Sequence, residues 1–431
     1  SVVCDKSEFH PVGLLSIGSY LKKLGHDVMI CDLSVGHDEI YFLTNFNPEV
    51  VGISALTPFA DRAYYLAELF KASNKYVVIG GNHATGMPEE AKQHADAVVI
   101  GDGEYALAEL LNTRQQGIIR GKPFNLDEVP TFDYELIDMP HYVNRRMCHQ
   151  LSIWSFVLPW EKALSATASR GCPHHCVYCH NSFTKTAIRF RNIDLIVEDL
   201  KHLYRRYDVE AVHFVDDEFL INKKWTEQLC ERLAEERIRI YFSCSARASD
   251  ITEDTLEFLK MGGCAQISFG FESASQRILD FLGKGTTVEQ NQNAIDLCNK
   301  HGIVIQGSFM IGNPTETKEE IVSTFEFIKK NYLDGAIGAF ITTPYPGTKL
   351  WQWGIEQGII PATLPEGKRW LWDNFRYNAL SLNLSVVSNE VLAGLQREIM
   401  TYAFNVYLER EAKRYASVRK IKDRLDPRQM S

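Results

Sequence analysis

The stretch Arg170-Gly-Cys-Pro-His-His-Cys-Val-Tyr-Cys-His-Asn181 holds three of the chain's ten cysteines within eight residues. It follows residues 164–169, an apolar run that predicts a buried β-strand. Thiolates at Cys172, Cys176 and Cys179 can bind three corners of an iron–sulfur cluster. A structural zinc site would need a fourth ligand, which one of the histidines within the stretch would have to supply. The spacing therefore favours an iron–sulfur cluster after a strand.

The cysteine stretch opens a series of alternating strand and helix patterns. The predicted strands are residues 164–169, 211–215, 239–244, 265–269, 304–309 and 336–341. Six such units are too few for a closed eightfold barrel. We therefore expect a partial (β/α)6 barrel over residues 161–349, open on one side. Its catalytic face should lie at the carboxyl ends of the strands.

The regions on either side of the barrel have different patterns. Within residues 1–120, short runs rich in Val and Ile predict strands at 26–31, 50–54, 76–80 and 97–100. Amphipathic segments alternate with them, which predicts an α/β, doubly wound, Rossmann-like domain. Residues 121–160 lose this periodicity and carry turn formers, so they predict a linker. Residues 350–431 predict a mainly helical segment, with a long amphipathic stretch at 388–414.

Composition excludes several classes of protein. With 46 Lys and Arg against 55 Asp and Glu, the net charge is −9, which argues against a cationic nucleic-acid-binding protein. No apolar run reaches the roughly 18 residues of a membrane span, and no signal-peptide pattern is evident. The seven dispersed cysteines are expected to be buried small side chains rather than a disulfide framework. We expect a cytoplasmic protein that does not bind nucleic acid and has no membrane span.

The cysteine motif resembles CxxxCxφC, the signature of the radical S-adenosylmethionine (SAM) superfamily, with Tyr178 as the aromatic residue. The resemblance implies that Cys172, Cys176 and Cys179 bind a 4Fe–4S cluster whose fourth iron is chelated by SAM. It also implies that one electron cleaves SAM to a 5′-deoxyadenosyl radical. An external reductant such as flavodoxin or ferredoxin would supply that electron.

Motifs at the ends of the later strands resemble the SAM-binding elements of the same family. The residues that the resemblance assigns to SAM are Tyr178, Asp217, Glu218, Ser245, Arg247, Glu272, Gly307 and Ile311. The acidic pair would hold the SAM amino group, Arg247 the carboxylate and Glu272 the ribose hydroxyls. Alternatives stay open, because an acidic helix N-terminus would also explain Asp217 and Glu218. A structural ion pair would equally explain Arg247.

The N-terminal domain resembles the cobalamin-binding subclass of this family. Ser54-Ala-Leu56 is similar to its S-x-L loop, and Gly80 and Gly81 are similar to its GG turn. The resemblance implies that Ser54, Leu56, Gly80 and Gly81 accommodate the detached nucleotide tail of cobalamin. Glu8-Phe-His-Pro-Val-Gly13 resembles the DxHxxG motif with Glu in place of Asp, so His10 is a candidate cobalt ligand. A flavodoxin-like scaffold without a cofactor is the alternative.

The resemblance implies methylation of an unactivated carbon in a small-molecule substrate. SAM would methylate cobalamin and also generate the radical that abstracts a substrate hydrogen. The substrate radical would then take the methyl group from methylcobalamin. Ring contraction, cyclisation or rearrangement without methyl transfer is an alternative, and so is a non-catalytic cluster protein or sensor. Methylthiolation is disfavoured, because that family carries three more cysteines in a domain that here holds Cys4 and Cys31.

Overall fold

The computed structural model describes residues 2–3, 10–144, 162–184, 187–236, 238, 240–331, 337–362 and 382–425. The strands are β1 (Val2–Val3), β2 (Cys31–Asp32), β3 (Val50–Ser54), β4 (Tyr76–Gly80), β5 (Ala97–Ile100), β6 (Gly117–Arg120), β7 (Ala163–Ala166), β8 (Ser169–Arg170), β9 (Arg189–Phe190), β10 (Ala211–Phe214), β11 (Tyr241–Ala246), β12 (Cys264–Glu272), β13 (Val304–Ile311) and β14 (Ile337–Ile341). They form two six-stranded parallel sheets and one antiparallel ribbon of β8 with β9.

Helices connect most of these strands. They are α1 (Val12–Lys23), α2 (Glu39–Asn45), α3 (Ala60–Ala72), α4 (Asn82–Gly86), α5 (Pro88–Ala91), α6 (Glu104–Thr113), α7 (Met139–Asn144), α8 (Asn181–Thr184), α9 (Ile193–Tyr207), α10 (Lys223–Glu236), α11 (Glu253–Met261), α12 (Gln276–Phe281), α13 (Val288–His301), α14 (Lys318–Asn331), α15 (Lys349–Glu356) and α16 (Asn389–Leu425). No helix within the described ranges is long and apolar enough to cross a membrane.

The first sheet has the strand order β2-β1-β3-β4-β5-β6. Its order reverses between β1 and β3, and doubly wound sheets bind ligands at the carboxyl ends of strands beside such a reversal. The expected doubly wound α/β domain is confirmed. The strand expected at 26–31 is shorter, because β2 lies at the edge and pairs only with the two residues of β1. The sequence interpretation missed α2 and β6.

The second sheet has the order β7-β10-β11-β12-β13-β14, so consecutive βα units lie side by side. This arrangement confirms the partial (β/α)6 barrel. Most residues of these strands are buried, and they include polar residues such as Ser165, His213, Ser243 and Gln266. The cysteine stretch and the later motifs lie at the carboxyl ends of these strands.

The two segments outside the barrel pack closely against it. Residues 121–144, expected to be a linker, bury Phe124, Tyr134 and Tyr142 in the same apolar core as the barrel helices. The linker is therefore packed rather than loose, and residues 145–160 lie outside the described part. The helical C-terminal region is confirmed, since α16 lies along β14 with the Met400 sulfur 3.5 Å from the Ala339 amide.

Candidate functional site

The cysteine loop leaves β8 and is held from two sides. The Val177 amide donates to the carbonyl of Leu282 at 2.9 Å, and the Val177 carbonyl accepts from the Leu350 amide at 2.9 Å. Within the loop, the Cys179 amide donates to the Cys176 carbonyl at 3.0 Å. Cys176 is buried, whereas Cys172 and Cys179 are half-buried, and all three thiols are free. The loop is thus a fixed element.

The surroundings of the cysteine loop keep two of its thiols protonated when no metal is bound. Burial raises the pKa of Cys179 to about 11 and also raises that of Cys172, so metal binding must displace their protons. The Arg247 guanidinium lies 3.9 Å from the Cys176 sulfur. Within the described ranges, no three His, Cys, Asp or Glu side chains converge on a single ion. In an iron–sulfur cluster each cysteine binds its own iron, so such convergence is not required.

A buried polar network joins the cysteine loop to the end of β12. Glu272 Oε1 accepts from the Tyr178 hydroxyl at 2.7 Å and from Lys284 Nζ at 2.9 Å. Burial alone would lower the pKa of Lys284, but the Glu272 carboxylate outweighs it and the pKa is raised. A Cβ at Gly270 would lie 2.3 Å from Glu272 Oε1, so only glycine leaves room for this pair. The sequence interpretation missed Lys284 as a site residue.

Glu218 and Arg247 lie together on one side of this network. The Arg247 amide donates to Glu218 Oε1 at 3.3 Å, and both side chains are buried. Burial and the nearby Asp250 raise the pKa of Glu218 to about 7, whereas Arg247 and Lys284 oppose the rise. This group of side chains therefore combines two cations with two carboxyl groups beside Cys176. Such a mixed set of charges suits a ligand that carries both an amino and a carboxylate group.

The three acidic residues after β10 have three different surroundings. Asp216 is buried and accepts two hydrogen bonds from the Ala168 amide, at 3.0 and 3.2 Å, which fixes the turn between β7 and β8. Burial raises its pKa to about 6. Asp217 is exposed to the cavity described below. The structure thus separates Asp217 from Glu218, and the sequence interpretation missed the structural role of Asp216.

The other predicted SAM residues lie on the inner strands of the barrel. Ser245 is opposite Ser268 in the register of β11 and β12. Gly307 pairs with Phe269, and Ile311 is the last residue of β13. Side chains alternate along a strand, and Ile311 shares its parity with the core residue Phe309. The side chain of Ile311 therefore belongs to the core, and its backbone is the part available at the strand end.

A cavity of about 800 Å³ connects the two sheets. Its inner part is a slot between the first sheet and helices α1 and α6, and its other end reaches the barrel. The slot is lined by Ile17, Gly18, Ser54, Val78, Gly80, Gly81, Val99, Leu107 and Leu111, and the barrel end by Thr167, Ser169, Arg170, Val215 and Asp217. This volume lies within the usual range for small-molecule and cofactor sites.

Glycine is required where the slot meets the end of β4. Gly81 has φ +93°, and a Cβ there would lie 2.8 Å from the Ala55 carbonyl oxygen and 3.1 Å from Ser54 Oγ. Gly80 and Ser54 are aligned partners in the register of β3 and β4. Small residues at these positions keep the slot open, which fits the expected accommodation of a flat nucleotide tail.

Two of the residues predicted to bind cobalamin lie outside the cavity lining. His10 is buried with its ring 5.9 Å from that of Tyr142, and burial lowers its pKa to about 3, so the imidazole is neutral. Its Nε2 has no hydrogen-bond partner among the described residues. Leu56 is 45% exposed. Neither lines the cavity, so their roles remain predictions.

A doubly wound sheet with an open slot, next to a half-barrel with a three-cysteine loop, defines a class of enzymes with two organic cofactors and a cluster. Residues 167–328 match the radical SAM superfamily, and residues 2–111 match the B12-binding domain. The chain is 34% identical over 382 residues to an uncharacterized methyltransferase of Pyrococcus horikoshii, covering 81% of this chain and 79% of the relative. It therefore belongs to the radical SAM superfamily, in the group that carries a B12-binding domain.

Two further similarities extend over both domains. Bacteriochlorophyllide d C-8(2)-methyltransferase of Chlorobaculum tepidum is 28% identical over 387 residues, covering 87% of this chain and 81% of the relative. The structure of the radical SAM methyltransferase TsrM from Kitasatospora setae, with cobalamin and a 4Fe–4S cluster bound, superposes with a TM-score of 0.66. It is 18% identical, and the match covers 84% of this chain and 79% of that one. At this identity the match describes the fold.

Proposed function

We propose that this protein is a cobalamin-dependent radical SAM methyltransferase acting on an unactivated carbon of a small molecule. The observation that carries the proposal is the single cavity that joins the slot beside Ser54, Gly80 and Gly81 to Asp217 of the barrel. The barrel end of the cavity, at Ser169, Arg170 and Asp217, directly adjoins the cysteine loop and Glu218 in sequence, so a substrate there would lie between the two proposed cofactor sites. The methyltransferase relatives support methylation over rearrangement.

The proposed site assignments follow the donors that each part of the site offers. Cys172, Cys176 and Cys179 would hold the 4Fe–4S cluster, and the slot would hold cobalamin. Glu218, Arg247 and Glu272 would hold SAM, together with the residues near them on the strand ends. When bound, the cluster and SAM supply a carbon-centred radical, and cobalamin supplies a methyl group.

The chain's own residues bind and orient the reactants. The Arg247 guanidinium can form charge-assisted hydrogen bonds to a carboxylate. Glu272, paired with Lys284 and fixed by Tyr178, can accept hydrogen bonds from hydroxyl groups. Asp217 faces the cavity and can accept a hydrogen bond from the substrate. The apolar walls of the slot, such as Val78 and Leu107, exclude water from the cofactor.

Two further expectations concern partners and location. A cluster of this class must be reduced from outside, and we expect flavodoxin or ferredoxin as the donor. Because an open cluster is oxygen-labile, we expect the protein to work in the reducing cytoplasm. Both expectations rest on the chemistry of the cluster and need direct tests.

The decisive experiment is metal and product analysis of protein expressed anaerobically with hydroxocobalamin and then reconstituted. We expect about four irons and about one cobalt per chain, given three cysteine ligands and one corrinoid site. Cys176→Ala should lose the iron, whereas Cys298→Ala, a buried cysteine of α13, should retain it. Four irons without cobalt would refute the methyltransferase proposal. Reduced protein with both cofactors should cleave SAM, and candidate substrates should then be screened for methylated products.

A further inference from the structure

A buried ion pair connects the cysteine loop to the N-terminal domain. The Arg170 guanidinium binds both oxygens of Glu104, with Nη2–Oε1 at 2.9 Å and Nη1–Oε2 at 3.2 Å. Glu104 is only 1% exposed and also accepts from the Ser16 hydroxyl at 2.7 Å. A two-pronged contact of this kind fixes the orientation of both groups as well as their distance.

Asp102 extends this contact to a second arginine. Arg170 Nη1 lies 3.4 Å from Asp102 Oδ1, and Arg189 of β9 forms a second ion pair with Asp102. The Phe124 amide donates to Asp102 Oδ2 at 2.8 Å. Burial alone would raise the pKa of Asp102, but the two arginines outweigh it and hold the pKa below its usual value. We call Arg170, Glu104, Asp102 and Arg189 the interdomain clamp.

The clamp lies between the two proposed cofactor sites. Arg170 precedes Cys172 by two residues. Glu104 is the first residue of α6, whose Leu107 and Leu111 form one wall of the slot. Asp102, Glu104 and Arg170 themselves line the cavity. A shift of the cysteine loop would therefore move Arg170 and, through Glu104, the wall of the slot.

A second contact fixes the opposite side of the cysteine loop. A Cβ at Gly86, the last residue of α4, would lie 2.6 Å from the Pro346 carbonyl oxygen. A Cβ at Gly347 would lie 2.9 Å from Cζ of Phe183 in α8, shortly after Cys179. The N-terminal domain thus touches the barrel rim at Pro346 and Gly347, and the rim in turn touches Phe183 in the helix after the cysteines. The loop therefore has a fixed contact on each side, and the two domains are held together at both contacts.

We propose that Arg170 is a positioning residue that couples the filling of the two cofactor sites, a proposal that rests on the function proposed above. Binding of the cluster would fix the backbone at Cys172, which in turn would hold Arg170 against Glu104 and keep α6 in place around the slot. Cobalamin would then bind more tightly to protein that carries the cluster. By thermodynamic necessity, cobalamin would stabilise the cluster to the same extent.

The test measures the affinity for hydroxocobalamin by equilibrium dialysis under anaerobic conditions. Each full-length protein is compared in its cluster-free and cluster-reconstituted forms. We expect the reconstituted wild type to bind at least about fivefold more tightly, the lower end of typical coupling between sites. In Arg170→Lys and Glu104→Gln this ratio should fall to about one, because neither variant keeps two charge-assisted bonds.

The matched control is Arg277→Lys. Arg277 also makes a two-pronged contact, to Glu320, with Nε 2.9 Å from Oε1, but on the barrel surface away from the cavity. In this variant the ratio of hydroxocobalamin affinities with and without the cluster should equal that of the wild type. A merely structural role of Arg170 would change both affinities alike and leave the ratio intact, which would overturn the inference.

The other outcomes also separate the possibilities. A wild-type ratio of one would overturn the inference while leaving the proposed function standing. A wild type that binds no cobalamin in either form would refute the proposed function itself. If Arg170→Lys does not fold, Ser16→Ala can be tested instead. This change removes the hydrogen bond to Glu104 and a long one, 3.5 Å, from Arg170, but leaves the ion pair, so it should give a ratio between those of the wild type and Glu104→Gln. An unchanged ratio in both Ser16→Ala and Glu104→Gln would overturn the inference.

Discussion

The Tyr178 hydroxyl donates a 2.7 Å hydrogen bond to Glu272, a residue 94 positions later in the chain. This bond joins the cysteine loop to the end of β12, where Glu272 adopts a left-handed φ of +62°. Such a backbone conformation is uncommon for a residue other than glycine and marks a position held by its surroundings. Glu272, Tyr178 and the buried Lys284 therefore form one hydrogen-bonded unit.

Replacing Glu272 by Gln should destabilise the protein and weaken SAM binding. The change leaves the Lys284 ammonium buried without a countercharge, and removing one partner of a buried pair typically costs about 3–5 kcal/mol. Chemical denaturation and SAM binding by equilibrium dialysis measure the two effects. Glu326→Gln, which breaks the exposed pair with Lys329, is the control and should cost about 1 kcal/mol or less. Equal losses in the two variants would contradict the assignment.

The neighbouring carboxylates Asp217 and Glu218 should behave differently on conversion to amides. Glu218→Gln removes a carboxyl group from the charged side chains around Arg247, so we expect weaker SAM binding. A loss of roughly 1.4 kcal/mol in binding free energy would weaken it about tenfold. Asp217→Asn should leave SAM affinity unchanged, because its side chain faces the cavity instead. Dialysis against SAM distinguishes the two. A comparable loss in Asp217→Asn would return both residues to the SAM site.

Gly81→Ala should abolish or strongly reduce cobalamin binding. The added methyl group meets the Ala55 carbonyl at 2.8 Å and Ser54 Oγ at 3.1 Å, so the edge of the slot must move. Gly117→Ala is a matched control, since Gly117 also has a positive φ, +106°, but has nothing within 4 Å of an added Cβ. Both variants place a side chain at a positive φ, which costs backbone strain of order 1–3 kcal/mol. Cobalamin retention after gel filtration should fall only in Gly81→Ala.

Glu316 should make the protein less stable as the pH rises from about 4.5 to about 7. Burial raises the pKa of this carboxyl group from its ordinary 4.5 to about 7. The folded state therefore binds more protons than the unfolded state in that interval, and the free energy of unfolding falls as the proton is lost. The full effect is about 3 kcal/mol.

Urea denaturation at several pH values measures the contribution of Glu316. The Glu316→Gln variant keeps a neutral side chain of the same shape at all pH values. Its stability should decline less than that of the wild type across the same interval. Parallel pH profiles for the two proteins would show that Glu316 is ionised in the folded state at neutral pH.

The sequence predicted the sheets because their strands are buried, and burial leaves a readable pattern of Val, Ile and short apolar runs. The strand at 26–31 was overestimated, since an edge strand pairs only as far as its short neighbour allows. The sequence predicts a linker where the chain is in fact packed, at 121–144, because irregular backbone has no period even though its aromatic residues belong to the core.

The site was predictable where motifs are local and was missed where partners meet only in the fold. Spacing alone identified Cys172, Cys176 and Cys179 as candidate ligands. Lys284 stands between two glycines, and nothing local indicates that it pairs with Glu272. The role of Asp216 depends on an amide 48 positions earlier, at Ala168. Contacts of this kind are set by topology, so no window of sequence contains them.

An incomplete barrel has two free strand edges, and each is a template for pairing with another chain. In this protein, α7 lies against β7 and α16 lies along β14, so the two segments outside the barrel shield its first and last strands. Natural sheets need such cover to remain monodisperse. An excised barrel of residues 161–349 would lose both covers and should self-associate edge to edge. The flanking segments thus serve as protection against aggregation for the half-barrel between them.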